Sequence, residues 1–392
     1  MPGERLTLRR SPEPVEGEPG IRGAVSPGVR SARSPDAGVT SSYDYELPEG
    51  AIAQAPAQPR DSSRLMALRG ERIEHLTFRD FPTLLRSGDV LVLNETRVIA
   101  ARVHGKRVPS GGGVELLFLR PAGEAHYDPS ATRWLVLAKP GRRLRTGERI
   151  SFGSLGEAAV VNVLDGGVRE IELRLTVGFE EFLETAGTLP LPPYVHNDSA
   201  EAQAGYQTIF ARDPGSVAAP TASLHFTNAV FEELKRRNVE IVKLVLDVGL
   251  GTFRPLQSEN LDEHAMHAES FSIPEATADA IRRAKEEGRR VVAAGTTVVR
   301  ALEASALQSG AVRPGRDQTD LFIRPGFNFR IVDALLTNFH LPRSTLLVLV
   351  CAFAGRERIL HAYAEAIERG YRLFSFGDAM FIEGPAVRPA AT

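Results

Sequence analysis

Cysteine is nearly absent. Cys351 stands alone in 392 residues, so no intramolecular disulfide can form. That excludes a disulfide-stapled secreted domain, and a single thiol does not make a Cys-rich zinc or iron–sulfur site. Long hydrophobic runs are missing as well. The run Leu346–Ala354 is about half of what a membrane span needs and reads as a core helix, with Cys351 as a small buried hydrophobe. The N-terminus lacks the apolar stretch of a secretory signal, which makes the expected location cytoplasmic, with no membrane partner. Charge of one sign is also scarce. The formal net charge is -2, so any nucleic acid must be held by a local basic surface on a near-neutral body. Neither a Walker-type phosphate loop nor a GxSxG nucleophile elbow occurs, which leaves nucleotide hydrolysis and serine-hydrolase chemistry without support.

What remains is a globular composition, 43% hydrophobic and 24% charged, in a chain long enough for two domains. Residues 1–42 are rich in Pro, Gly, Ser, Arg and Glu without any apolar period, and disorder is expected there. From residue 90 short β-like runs follow one another (DVLVLNETRV, ARVHGKRV, GGVELLFLR, RWLVLAKP, VREIELRL), punctuated by glycine turns. They predict a small β-barrel or sandwich over 97–190, ending at the Pro-rich break LPLPPYV. Beyond it, strands and helices alternate. Helices are expected at 228–237, 274–287, 298–309, 344–353 and 356–369, and strands at 241–247, 290–294 and 371–376. That rhythm argues for an α/β domain, a mostly parallel sheet covered by helices, built from 43–96 and 191–392 with the β module inserted.

Two glycine-containing segments stand where a ligand could approach the backbone. VVAAGTTVVRALE reads as strand, turn and helix, and Gly295, Thr296 and Thr297 would offer free N–H groups and hydroxyls, although such a turn is equally a good helix cap. LDVGLGTFRP puts Gly249 and Gly251 after a strand, but no helix follows, so the dinucleotide reading fails. Polar residues also collect in segments that are otherwise apolar or turn-rich: Arg60, Ser63 and Arg64; Asn94, Thr96 and Arg97; His225; His267 and Glu269; Asn338 and His340; and Asp378. The pair His264 and His267 has no third ligand at a recognisable interval, so no metal is expected.

Together these segments resemble the S-adenosylmethionine:tRNA ribosyltransferase-isomerases of queuosine biosynthesis. The resemblance runs from Tyr43 to Ile382 and is carried by YDYELPEGAIAQAP with RDSSRLMAL, GDVLVLNETRVIAARVHG, YQTIFARDPGSVAAPTASLHFT, LDVGLGTFRP, MHAESFSI, AAGTTVVRALE, TDLFIRPGFNFRIVDALLTNFHLPRSTL and RLFSFGDAMFI. Ser223 stands where the family pattern has Gly, and Asp247 where it has His. The resemblance implies an α/β domain with an inserted β-barrel. It also implies transfer of the ribosyl moiety of S-adenosylmethionine, as co-substrate, to the aminomethyl group of a 7-deazaguanine at the tRNA wobble position. Epoxyqueuosine, adenine and methionine would be the products, without metal or nicotinamide, and a monomer is expected.

That chemistry needs a base near the acidic C5′ proton beside the sulfonium, an acid for the departing adenine, and a deprotonated amine. His225, His267, Glu269 and His340 are the candidates for proton transfer. Thr221, Gly249, Gly251, Thr252 and Gly295 to Thr297 would line the S-adenosylmethionine site, while Arg64, Arg97 and Arg300 could hold the methionine carboxylate or an RNA phosphate. A basic surface for RNA is expected on the β module at Arg97, Arg102, Lys106, Arg107, Lys139, Arg142, Arg143 and Arg145. Rival readings are an ordinary methyltransferase, which would leave S-adenosylhomocysteine, and a non-enzymatic RNA-binding module.

Overall fold

A computed structural model describes residues 35–123, 126–249 and 255–384. Apolar runs such as VLVL, VVAA and ALL have no polar alternation, so each strand must be covered on both faces. They build the middle of a nine-stranded sheet. Its spatial order is Gly315–Thr319, Glu269–Ile273, Glu240–Leu246, Val90–Asn94, Val291–Ala294, Ala334–Asn338, Ala379–Glu383, Arg64–Arg69, Arg72–Thr77. Successive side chains go to opposite faces. Val90, Val92, Val291 and Ala293 face one core with the helices Glu275–Glu286, Thr296–Ala306, Thr345–Ala354 and Arg356–Glu368. Leu91, Leu93, Val292 and Ala294 face the other, with Phe78, Phe81 and the helix Asn228–Arg236.

The sheet is mixed rather than mostly parallel. Glu240–Leu246, Val90–Asn94, Val291–Ala294 and Ala334–Asn338 are parallel neighbours, as are Ala379–Glu383 and Arg64–Arg69. The other pairings are antiparallel. For one of them the physical reason is connection length: Arg64–Arg69 and Arg72–Thr77 are joined by a two-residue turn, and so short a link permits only antiparallel pairing.

Six antiparallel strands close into a barrel: Arg102–Val108, Gly113–Pro121, Arg133–Lys139, Val168–Leu175, Gly156–Val163 and Arg149–Ser151, the last pairing back to the first. Helix Phe179–Ala186 sends Phe179, Phe182 and Leu183 into the barrel core, where Phe179 stacks on Trp134 at 4.1 Å.

Three other expectations change. Residues 371–376 are irregular instead of forming a strand; the strand is Ala379–Glu383, and Phe374 turns the chain at φ 69. Ordered structure starts before Tyr43. Thr40 is buried and donates from N to Glu259 O (2.8 Å) and from Oγ1 to Ser258 O (2.7 Å), while the first 34 residues lie outside the described ones. The helix begun by Gly295 starts at Thr296, two residues earlier than its apolar periodicity suggests. Among the described residues, no helix is long and apolar enough to cross a membrane.

Candidate active site

The central strands are parallel, so they end at one edge of the sheet, at Asn94, Leu246, Ala294 and Asn338. In chain order, the neighbours of Val90–Asn94 are added first on one side and then on the other. Loops leaving this edge diverge there, as in other open α/β sheets where ligands sit beyond the carboxyl ends of the strands. Two clefts of about 360 and 320 Å³ open at this edge. They share Thr221, Asn338, His340 and Leu346, which makes them two halves of one groove.

The halves differ in chemistry. One is lined by Gly295, Thr296 and Thr297 at the start of an eleven-residue helix, with Ala219, Ala222 and Val248 as an apolar wall. Gly295 makes the strand-to-helix turn at φ 102, a backbone conformation that side chains rarely adopt, and the first-turn N–H groups have no intrahelical acceptor. The other half is aromatic. Tyr194, Phe339 and Phe374 line it with Ser344 and Ser375, and the Tyr194 hydroxyl lies 2.7 Å from Ser375 Oγ. Flat apolar rings edged by hydroxyls suit a planar heterocycle.

His340 lies on the wall common to both halves. Its Nε2 is 2.7 Å from Thr337 Oγ1, its N–H donates to the Tyr363 hydroxyl, and its carbonyl accepts from Tyr45. Burial pushes its pKa down to about 3, so the imidazole is neutral at neutral pH. His225 lines neither half. It lies behind Asn338, with Nδ1 2.8 Å from Ser63 Oγ, Nε2 3.3 Å from Asn338 Nδ2 and the ring stacked on Phe78. Burial first, then Arg372 and Arg60, pushes its pKa down to about 3.

Other candidates are engaged elsewhere. Arg300 is buried and directs Nε to Leu321 O, one terminal nitrogen to Thr319 O and the other to the Glu269 carboxylate. Glu269 also accepts from Gly249 N at 2.9 Å. This is an internal ion pair tying helix Thr296–Ala306 to strand Glu269–Ile273, so Arg300 is not poised to clamp a carboxylate. Arg64 is exposed over Tyr371 and donates to Arg369 O; Arg97 and His267 are exposed, and none of the three lines the groove. Gly251 and Thr252 lie outside the described residues. Asp247, at the same edge, accepts from Thr96 Oγ1 at 2.9 Å. Burial, with Glu269 and Asp213 nearby, pushes its carboxyl up to about 6 against the hydrogen bond from Thr96.

On the barrel, register brings most of the basic residues together. Lys106 faces Gly113 and Ser151, and Lys139 faces Glu115, so Lys106, Arg107, Lys139, Arg142, Arg143 and Arg145 share one end. Arg102 is at the other end of its strand, beside Thr188, donating to Leu191 O.

Tyr194, Phe374, Ser375 and Thr337 were not expected in the groove. Tyr194 sits in the Pro-rich stretch that reads as a domain break, and Phe374 in a stretch that reads as a strand. The alternation of aromatics with Ser in RLFSFGDAM is the only local hint.

The profile described as "Queuosine biosynthesis protein" matches residues 40–382. This chain belongs to that family. It is 50% identical over 345 residues to the S-adenosylmethionine:tRNA ribosyltransferase-isomerase of Heliobacterium modesticaldum, covering 87% of this chain and 98% of that one. The Moorella thermoacetica protein of the same name is 50% identical over 346 residues, with 87% and 98% covered. A crystal structure of S-adenosylmethionine tRNA ribosyltransferase from Thermotoga maritima is similar at 36% identity, with 87% of this chain and 100% of that chain covered and a TM-score of 0.49.

Proposed function

We propose that this chain is an S-adenosylmethionine:tRNA ribosyltransferase-isomerase. It transfers and isomerises the ribosyl moiety of S-adenosylmethionine onto the aminomethyl group of a 7-deazaguanine at the tRNA wobble position, giving epoxyqueuosine, adenine and methionine. The observation that carries this reading is that every segment lining the groove falls inside the family match, from Tyr194 through Thr221, Gly295 and His340 to Ser375.

The chemistry of the two halves fits. The helix start at Gly295 to Thr297 suits the methionine carboxylate through free N–H groups and the helix dipole. The aromatic half suits a planar base, and the sugar would lie at the junction. The sulfonium acidifies the C5′ proton, and a base that removes it begins ring opening. Adenine then leaves with a proton, the neutral amine attacks and gives up a proton, and closure of the epoxide breaks the carbon–sulfur bond, so that methionine leaves as a neutral thioether. Of the four proton-transfer candidates, we favour His340, on the wall common to both halves, as a neutral imidazole able to accept a proton; a developing negative charge beside it would raise its basicity. His225 acts through Asn338 as a positioning residue. The basic end of the barrel would take RNA phosphates, which makes tRNA affinity fall with salt.

The test is incubation with S-adenosylmethionine and tRNA bearing the 7-aminomethyl-7-deazaguanine base, followed by chromatography of the released small molecules. Adenine and methionine in equal amounts, dependent on tRNA, are expected. S-adenosylhomocysteine in their place would make it a methyltransferase and overturn the reading. His340→Ala should lose at least about a hundredfold in turnover, and retention of more than about a tenth would remove it from proton transfer.

A further inference from the structure

Two asparagines end neighbouring parts of the parallel core, and their hydrogen-bonding separates structure from recognition. Asn94 is satisfied within the protein. Its Oδ1 accepts from Thr96 N and Leu246 N, both at 3.1 Å, and its Nδ2 donates to Leu246 O at 2.9 Å and reaches Thr297 Oγ1 at 3.4 Å. Asn338 is 2% exposed and only half satisfied. Its Nδ2 donates to Phe374 O at 3.1 Å and faces His225 Nε2 at 3.3 Å, while its Oδ1 is buried with no partner among the described residues. A buried acceptor left open this way is uncommon and marks either strain or a missing ligand.

The amide cannot simply be turned over. Phe374 O only accepts, so Nδ2 must face it, and a flip would set two oxygens against each other. His225 Nε2 then acts as acceptor, its proton sits on Nδ1, and Nδ1–H donates to Ser63 Oγ at 2.8 Å. The carbonyl of Phe374 is itself held in an unusual place. A bulky residue at φ 69 is strained, and such strain persists where surrounding structure over-determines it. Here Asp378 fastens the loop: its Oδ2 accepts from Arg372 N at 2.8 Å, its Oδ1 accepts from Arg64 N at 2.9 Å, and its N–H donates to Arg372 O at 2.7 Å. Gly377 completes the turn where a Cβ would come within 2.4 Å of Arg372 O. Three separate segments thus fix one amide, leaving its acceptor on a residue that lines both halves of the groove.

We propose that Asn338 is a substrate-binding residue whose Oδ1 accepts a hydrogen bond from a hydroxyl of the ribose that is transferred. The inference rests on the function proposed above. An acceptor with no donor left over recognises an O–H or N–H group. At the junction, between a half suited to a carboxylate and a half suited to a base, the group that meets it is the sugar. The sulfonium itself offers no proton to donate there.

The experiment is calorimetric titration of the full chain and of Asn338→Ala with S-adenosylmethionine and with its 2′-deoxy and 3′-deoxy analogues. A well-placed hydrogen bond is worth roughly tenfold in affinity. The wild type should lose about that factor for one deoxy analogue. Asn338→Ala should lose it for S-adenosylmethionine but not for that same analogue. An undiminished affinity of Asn338→Ala for S-adenosylmethionine overturns the proposal while leaving the proposed activity intact. An equal loss by Asn338→Ala for all three compounds overturns it too, because the partner is then not a ribose hydroxyl. The wild type supplies a test independent of the variant's folding: binding both deoxy analogues as tightly as S-adenosylmethionine overturns the proposal. A wild type that binds none of the three overturns both this proposal and the activity on which it rests.

Discussion

Replacing His340 with Gln should flatten the acid side of the stability profile. His340 is 8% exposed, and burial holds its folded pKa at about 3, whereas an imidazole in the unfolded chain titrates at about 6.5. The folded value lies below the unfolded one. Its contribution to stability is therefore intact above about pH 6.5 and is lost as the pH falls toward 3. At about pH 5 the unfolded imidazole is almost fully protonated and the folded one neutral, a difference of roughly 2 kcal/mol; at about pH 7.5 it is near zero. His225 is displaced in the same direction and adds a similar slope. Asp247 works the other way: its folded value is raised to about 6, so its contribution is present below its unfolded pKa and is lost as the pH rises through 6. The net profile mixes these opposed slopes, so the measurement must be a difference. Urea unfolding of the parent and of His340→Gln, followed by far-ultraviolet circular dichroism at about pH 7.5 and about pH 5, isolates the His340 share. The variant should lose roughly 2 kcal/mol less than the parent on acidification. Losses equal to within about 0.5 kcal/mol, near the resolution of the extrapolation, would mean that His340 takes up its proton while folded, and a neutral imidazole on the groove wall would be wrong.

Asp247→Asn mimics the protonated acid that burial favours. At about pH 8 it should raise stability by up to about 3 kcal/mol, the shift from 3.8 to about 6 converted to free energy, and at about pH 3.5 the gain should be largely gone. A loss of stability at pH 8, measured by the same unfolding assay, would show that the charged carboxylate is held by something stronger than Thr96. Arg300→Ala leaves the buried Glu269 carboxylate without its guanidinium and should cost about 3–5 kcal/mol, seen as a large drop in Tm. Weakened S-adenosylmethionine binding at unchanged Tm would instead make Arg300 a ligand residue. Ser223→Ala removes a buried hydroxyl that has no partner among the described residues and should stabilise by about 1 kcal/mol, whereas a lowered Tm would mean that the hydroxyl is satisfied.

The fold was readable where one physical rule dominates. Thr227 caps its helix through its side-chain oxygen, as its position before an apolar-periodic run implies. Cys351 is buried in an apolar helix, and the glycine-punctuated runs of the β module close into a barrel. The direction of the sheet's outer strands was not readable, because alternation of strand and helix says nothing about a strand that returns by a short turn. Ala379–Glu383 lies between two strands from distant parts of the chain, antiparallel to Ala334–Asn338 and parallel to Arg64–Arg69. That pairing is a product of tertiary packing, not of local pattern.

The site divides along the same line. Gly295 to Thr297, Thr221 and His340 could be picked out because a glycine turn at a helix start, or a histidine among apolar neighbours, is conspicuous in a string of letters. Arg300 and Glu269 are just as conspicuous, yet they meet each other 31 positions apart in an internal ion pair and neither lines the groove. Asn94 and Asn338 make the same point more sharply. Each follows a run of strand residues and each is buried, so the sequence offers no reason to rank one above the other. Only a full accounting of donors and acceptors separates them. Asn94 bridges two strands and has both its groups engaged, whereas the fixed positions of Phe374 O and His225 Nε2 spend the donors of Asn338 and leave its acceptor without a partner among the described residues, on a residue that lines the groove. A residue's candidacy for binding therefore rests less on its being polar and buried than on whether the protein has already used what it has to offer.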